Sequence, residues 1–284
     1  MEEYLVIGRT NGTTRQGSPY ATLKVAKSKE ESFTISVWDL SPTAGPMLGQ
    51  LVSFFSIKDF QGKMSCSATD LRLGSMPDAM HPLYHLLPRP ILRHEWDQTI
   101  QALLTYCTDE ALIPIIQDFA DKLFAPYSKY PAATSVHHAY PGGLLNHTYQ
   151  MLHMLQGLYP CLPYTIKVER CILAILFHDY GKVYEYNTQG DKQPDMFLLG
   201  HIYLGAHKLQ NVLEQKNIDA EETKRIVHCI LAHHGTREFG SPVLPCIQEA
   251  SIVNYLDNIS AKTDAMENAA DMEFSSALGT HIVK

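Results

Sequence analysis

His178 and Asp179 stand side by side where the apolar run Cys171-Ile-Leu-Ala-Ile-Leu-Phe177 stops, and Gly181 and Lys182 follow at once. An imidazole and a carboxylate at the buried end of an apolar segment are costly unless they are paired or hold a cation. Similar groups recur along the chain. His147 lies in the first turn of a segment opening at Leu144. His201 opens another after Gly200, and His233-His234 again ends an apolar run. Asp257 shares a helical face with Ala250 and Val253. Imidazoles mixed with carboxylates suit Mn, Fe, Co or Zn and would be unusual for Mg alone. Asp179 has two oxygens, enough to bridge two ions. Taken singly, His147 or His201 reads as a core histidine bonded to backbone, and Asp257 as a buried carboxylate pairing two helices. His153, His207 and His228 lack such a context and read as ordinary core or surface residues.

The elements that must position these residues fall into two kinds. Residues 1–76 read as β structure. Tyr4-Leu-Val-Ile opens a strand, and Tyr20–Val25 and Phe33–Trp38 alternate with period two. Leu51–Ile57 and Met64–Ala68 complete five short strands, with Leu71-Arg-Leu after them, which suits a small barrel of the OB type. Residues 77–98 hold Pro77, Pro82, Pro88 and Pro90 and read as a linker without regular helix. Residues 99–284 read as all-α, with helical periodicity starting near Glu95 and running to the end. Gly181 reads as the stop of the helix that carries His178. The expected fold is therefore multi-domain: an all-β OB-like module, a linker and an all-α domain.

A chain that is 45% hydrophobic and 19% charged can build a sizeable core, so wholesale disorder is excluded. The net charge is -7, unevenly spread. Residues 1–76 carry eight Lys and Arg against seven Asp and Glu (+1), leaving 15 against 23 (-8) for the rest. A near-neutral module beside an acidic body tolerates a polyanion but shows no basic footprint for one. The six scattered cysteines read as reduced thiols. No apolar run reaches membrane-span length, and Met1-Glu-Glu-Tyr lacks the regions of a signal peptide. A cytoplasmic protein without membrane partners is expected, with homo-oligomerisation left open.

The order His…His-Asp…His…His-His…Asp is similar to the pattern of the HD superfamily of metal-dependent phosphohydrolases. The resemblance narrows further. His137-His-Ala-Tyr-Pro-Gly-Gly-Leu-Leu-Asn-His147, Leu176-Phe-His-Asp-Tyr-Gly-Lys-Val-Tyr-Glu185, Leu199-Gly-His-Ile-Tyr-Leu-Gly205, Ile230-Leu-Ala-His-His-Gly235 and Tyr255-Leu-Asp-Asn-Ile-Ser-Ala261 resemble motifs of the YhaM-type 3′→5′ exoribonucleases. Gly17–Leu23 and Val37-Trp38-Asp39 resemble that family's OB module. Tyr180 and Pro141 depart from the pattern without removing a ligand. The resemblance implies His147, His178, Asp179 and Asp257 as core metal ligands. It implies His201 with His233 or His234 for a second ion, and manganese or cobalt as the metal.

The implied activity is metal-assisted hydrolysis of phosphodiesters from the 3′ end of single-stranded RNA, or of single-stranded DNA. Asp179 would bridge the ions. Lys182 would pair with the scissile phosphate, or else be a solvated lysine at a helix end. His138 would serve as a leaving-group acid, or else hydrogen-bond the Gly142-Gly143 turn. Arg237 and Glu238 read as ordinary loop charges. Tyr20, Lys24, Lys58 and Lys63 are the candidate nucleic-acid contacts, with Arg9 near them in sequence. Most module aromatics (Tyr20, Trp38, Phe54, Phe55, Phe60) are expected in the core, although the adjacent Phe54 and Phe55 must point to opposite faces. Two other functions compete: hydrolysis of a small or cyclic nucleotide, and non-catalytic nucleic-acid binding.

Overall fold

The computed structural model describes the chain except residues 29–30, 42–44, 78–79, 134–136, 189, 269–271, 273, 276–277 and 284. Among the described residues the first part forms seven strands: β1 (Tyr4–Thr13), β2 (Pro19–Ala26), β3 (Ser32–Trp38), β4 (Leu51–Phe54), β5 (Lys58–Phe60), β6 (Lys63–Ser67) and β7 (Leu71–Leu73). They form one sheet in the order β5-β6-β3-β2-β1-β4-β7. β3 runs parallel to β6, while β1 pairs antiparallel with β2 and β4.

In that order β4 and β5 are five strand spacings apart, about 24 Å if the sheet were flat. Only residues 55–57 join them, and the step from Phe54 to Lys58 spans about 14 Å at most. The sheet must therefore curl, and it closes a small core of Val6, Leu23, Val25, Ile35, Val37 and Val52. The strand expected over residues 51–57 is broken at Phe54, and Lys58–Phe60 forms a strand that its own three residues did not reveal.

The stretch 77–98 differs from a bare linker. Pro82–Leu86 winds into a 3-10 turn whose Leu83 packs on Leu5 and Leu51. Helix α1 (Arg93–Leu104) begins inside the proline-rich span, because the Glu95 carboxylate accepts the Leu92 N–H at its start. The helical body continues through α2 (Ile113–Tyr127), α3 (Gly143–Leu158), α4 (Val168–Phe177), α5 (Lys182–Glu185), α6 (Pro194–Leu198), α7 (His201–Gln215), α8 (Ala220–Leu231) and α9 (Gln248–Asn268). Beyond α9 the pattern expected to stay helical becomes a hairpin of Phe274–Ser275 with Thr280–His281. No helix among the described residues is long and apolar enough to cross a membrane.

The apolar run Cys171–Phe177 is completely buried, so α4 is the central rod against which α2, α3, α7, α8 and α9 pack. The carbonyls of its last turn have no partner within the helix. The Tyr127 hydroxyl donates to Leu176 O at 2.7 Å and the Tyr180 N–H to Phe177 O at 3.1 Å. This helix end is buried and satisfied, and it delivers His178 and Asp179 to the centre of the body.

The two parts meet at Arg9, a residue the sequence placed near the nucleic-acid contacts. It points inward instead. Its side chain is 2% exposed, and its Nη2 lies 3.5 Å from Asp191 Oδ1 in the helical body. Arg9 also donates to Asn11 Oδ1 and Pro46 O, each at 3.1 Å, and the Asn11 amide donates to Asp191.

Candidate metal centre

α3, α4, α7, α8 and α9 bring seven residues that are far apart in sequence to one place. Close backbone approach makes this possible. Gly181 has φ -64, so its role is not the left-handed helix stop expected of it. A Cβ there would lie 2.3 Å from His201 Cα, and one on Gly205 would lie 2.3 Å from Phe177 O. Two missing side chains let α7 sit directly on the end of α4, which carries His201 to Asp179.

The ligand atoms form two groups: His147, His178 and Asp179, and His201, His233 and His234. Asp179 joins them. Its Oδ2 lies 3.3 Å from His178 Nε2 and 3.7 Å from His147 Nε2, while its Oδ1 lies 3.7 Å from His201 Nε2. Asp257 Oδ1 adds to the first group at 3.1 Å from His147 Nε2.

Four of the imidazoles are held the same way round. His178 Nδ1 donates to Ile175 O at 2.8 Å and His233 Nδ1 to Ile230 O at 2.7 Å. His234 Nδ1 donates to Phe239 O at 2.7 Å, and His201 Nδ1 to the Glu185 carboxylate at 3.1 Å. A neutral imidazole that donates through Nδ1 carries its lone pair on Nε2. The Nε2 atoms of His201 and His233 are buried with no hydrogen-bond partner, a costly arrangement unless a cation takes them. His147 Nε2 and His178 Nε2 approach to 3.1 Å. Donor atoms about 2.1 Å from one divalent ion stand on the order of 3 Å apart, so this crowding of lone pairs fits a metal. The residues present therefore fit the ions the sequence implied.

Electrostatics agree with the geometry. Burial disfavours the charge of Asp179, but Lys182 and the neighbouring imidazoles outweigh it and hold the carboxyl well below the usual range. Asp257 is likewise held low by His147 against the effect of burial. Burial lowers His233 and His234, reinforced by the charges of His234 and His178 at the first and of His201 at the second, which keeps them neutral and competent as ligands.

All seven sequence-derived ligand candidates converge here. Lys182 is also here: it is buried, its Nζ is 2.8 Å from Asp179 Oδ2, and so it is not a solvated lysine. His138 corrects the expectation. Its ring is completely buried, bonded at Nδ1 to Tyr140 and at Nε2 to Ser260, and burial pushes its pKa down to about 2. A ring so held stays neutral with both nitrogens engaged, and so is not placed to protonate a leaving group. Nor does its ring bond the glycine turn; its carbonyl packs against Gly143. Arg237 and Glu238 are exposed in their loop. Sequence reading passed over Glu185, Ser260 and Gln150. Glu185 closed one of the quoted motifs and Ser260 lay within another, but no local spacing marks the histidine that each supports.

Register places the β-module candidates on the sheet face opposite its core. Tyr20 pairs with Trp38 and Lys24 with Thr34, alternating with the buried positions of β2 and β3, while Phe60 pairs with Lys63 and Lys58 with Ser65 along β5, all of whose residues are exposed. The Tyr20 and Trp38 rings pack at a tilt of 43° with centroids 5.2 Å apart. Trp38, Phe55 and Phe60 are exposed and Phe54 alone of the five aromatics is buried, which reverses the expectation that most would be core.

A family model described as HD domain matches residues 144–262, a span that contains all seven ligand candidates. The chain carries an HD domain. Curated relatives extend the likeness beyond the HD domain to nearly the whole chain. The 3'-5' exoribonuclease YhaM of Bacillus subtilis is 28% identical over 287 residues, covering 95% of this chain and 88% of that protein. The proteins of the same name in Geobacillus sp. and Bacillus velezensis are 28% and 27% identical, covering 95% and 94% of this chain and 85% and 86% of their own lengths. No solved structure matches.

Proposed function

We propose that this chain is a metal-dependent 3′→5′ exoribonuclease that hydrolyses single-stranded RNA. The observation that carries the reading is the pair of ligand groups joined by Asp179, with imidazole lone pairs turned inward. It is supported by the likeness to proteins named 3'-5' exoribonuclease YhaM. His147, His178, Asp179 and Asp257 would hold one divalent ion, and Asp179, His201, His233 and His234 a second. Manganese is the first choice because the resemblance to that family implies it, and a mixed imidazole and carboxylate set can hold it. When bound, such ions supply Lewis acidity to the scissile phosphate and to the attacking water.

The chain's own residues supply the rest. Asp179 stays ionised and shares its two oxygens between the groups. Lys182 brings a buried positive charge beside Asp179, where it both holds that carboxylate and offers a donor to a phosphoryl oxygen. The β module fits an OB-like reading through its β1–β2–β3 meander and parallel β3·β6 pairing. Its outer face offers Tyr20 and Trp38 for base stacking and Lys24, Lys58 and Lys63 for phosphates.

The deciding experiment incubates 5′-labelled single-stranded RNA with the protein and Mn. Stepwise shortening from the 3′ end, abolished by chelator and absent in a His178→Ala/Asp179→Ala variant, is expected. An RNA that stays intact under every divalent metal, with turnover of small or cyclic nucleotides instead, would replace this reading by the small-nucleotide one.

A further inference from the structure

Five imidazoles face the centre, and four have an Nδ1 partner that can only accept: a backbone carbonyl for His178, His233 and His234, and a carboxylate for His201. His147 is different. Its Nδ1 lies 2.9 Å from the Ser260 hydroxyl, a group able to donate as well as accept. If Ser260 donated its proton to Nδ1, His147 would carry its own proton on Nε2, the atom aimed at Asp257 and Asp179, and could not act as a ligand. Something must fix the direction of that hydroxyl.

The surroundings do so. Ser260 Oγ donates to Gln150 Oε1 at 2.7 Å. His138 Nε2 lies 3.1 Å from the same oxygen. On the far side of that ring, Asn146 Nδ2 donates to the Tyr140 hydroxyl at 3.0 Å, that hydroxyl lies 3.0 Å from His138 Nδ1, and Asp264 Oδ1 lies 3.6 Å from the same nitrogen. With the Ser260 proton on Gln150, the approach of His138 Nε2 to Ser260 Oγ is a hydrogen bond only if that nitrogen donates. Ser260 thus has its one proton on Gln150 and its two lone pairs filled by N–H groups of His138 and His147. Ser260 is 1% exposed, so water does not compete for these positions.

We propose that Ser260 is a positioning residue for the first ion: with its proton held by Gln150 and its second lone pair filled by His138, it fixes His147 in the tautomer that presents Nε2 as a ligand. This also gives His138 a role in place of the acid its position suggested. The proposal rests on the reading that the first ligand group holds a divalent ion.

The test measures Mn affinity of the full-length protein by titration with detection of free Mn, in wild type, Ser260→Ala and Ser260→Thr. A hydrogen-bonding partner behind a ligating histidine is worth about 10- to 100-fold in metal affinity. Ser260→Ala is expected to weaken one of two bound ions by about that factor and to leave the other unchanged, and Ser260→Thr to restore it. In Zn-loaded protein the His147 Nδ1 proton, read by ¹⁵N NMR, is expected to be protected from solvent exchange in wild type and in Ser260→Thr. If Ser260→Ala does not fold, Gln150→Met removes the acceptor while keeping the serine, and the same selective weakening is expected. Wild-type protein binding two ions, with Ser260→Ala or Gln150→Met binding both equally tightly, would overturn the proposal alone. Wild-type protein that binds no divalent ion would overturn the metal reading and this proposal with it.

Discussion

Lys182 Nζ lies 2.8 Å from Asp179 Oδ2, and both side chains are buried. The lysine stands three residues beyond the aspartate, past the end of α4 and at the start of α5. Burial alone would lower the Lys182 pKa, but the charge and hydrogen bond of Asp179 more than offset it, and the ammonium stays charged. The pair holds in place the carboxylate that joins the two ligand groups.

Removing the lysine should therefore strand a buried charge, at a cost of about 3–5 kcal/mol. A Lys182→Met variant is expected to melt earlier than wild type in chelator. Excess Mn, supplying positive charge to the same carboxylate, is expected to raise its melting temperature more than that of wild type. Differential scanning calorimetry of both proteins with and without metal reads this directly, and an equal rise in the two would speak against a shared carboxylate.

The division of ligands predicts metal stoichiometry. Asp257→Asn and His147→Ala should each lose the ion of the first group, and His201→Ala the ion of the second. Asp179→Ala should lose tight binding of both. Elemental analysis of dialysed protein is expected to give two ions per chain in wild type, one in the single-group variants and none in Asp179→Ala. RNA hydrolysis should fall by about 10³-fold or more in each, several kcal/mol of lost barrier reduction.

The Arg9–Asp191 contact predicts coupling between the two parts of the molecule. Arg9→Ala leaves the Asp191 carboxylate short of its cation at a half-buried junction, and destabilisation by about 3 kcal/mol is expected. Arg9→Lys should not rescue it, since an ammonium cannot reproduce the planar fork that serves Asn11, Pro46 and Asp191 together. The effect should appear as a β module that melts ahead of the helical body. A single unshifted transition would show that the junction contributes little.

The outer face of the sheet makes a prediction of its own. Trp38→Ala and Phe60→Ala are each expected to weaken single-stranded RNA binding by about 1–3 kcal/mol with little dependence on sequence. Lys58→Ala or Lys63→Ala should lower the slope of log K against log salt by about 0.7 each, the signature of one lost phosphate contact. Fluorescence anisotropy across a salt series separates the two classes, and unchanged slopes would remove these lysines from the RNA path.

The amino-acid sequence by itself determined which residues could ligate and which elements carry them. Period-two alternation marked β2 and β3, and helical spacing marked the apolar faces of α3, α4 and α9. The abrupt endings at His178-Asp179 and His233-His234 exposed polar groups at the ends of apolar runs, a conflict visible without any fold. These signals are local, because they come from the geometry of one strand or one helix. What the tertiary structure decided is non-local. Strand alternation gives two faces but does not say which is covered, so the exposure of Trp38 and Phe60 depended on how the sheet curls. The strand at Lys58–Phe60 exists only because β6 pairs with it. Arg9 met Asp191 at a sequence separation of 182, and His147 met Ser260 at a separation of 113. Gly181 looked like a helix stop, yet it is small because α7 needs its space. A carboxylate and an imidazole announce a ligand by their type. Which lone pair each presents is set by the partner behind it, and that partner is chosen by packing.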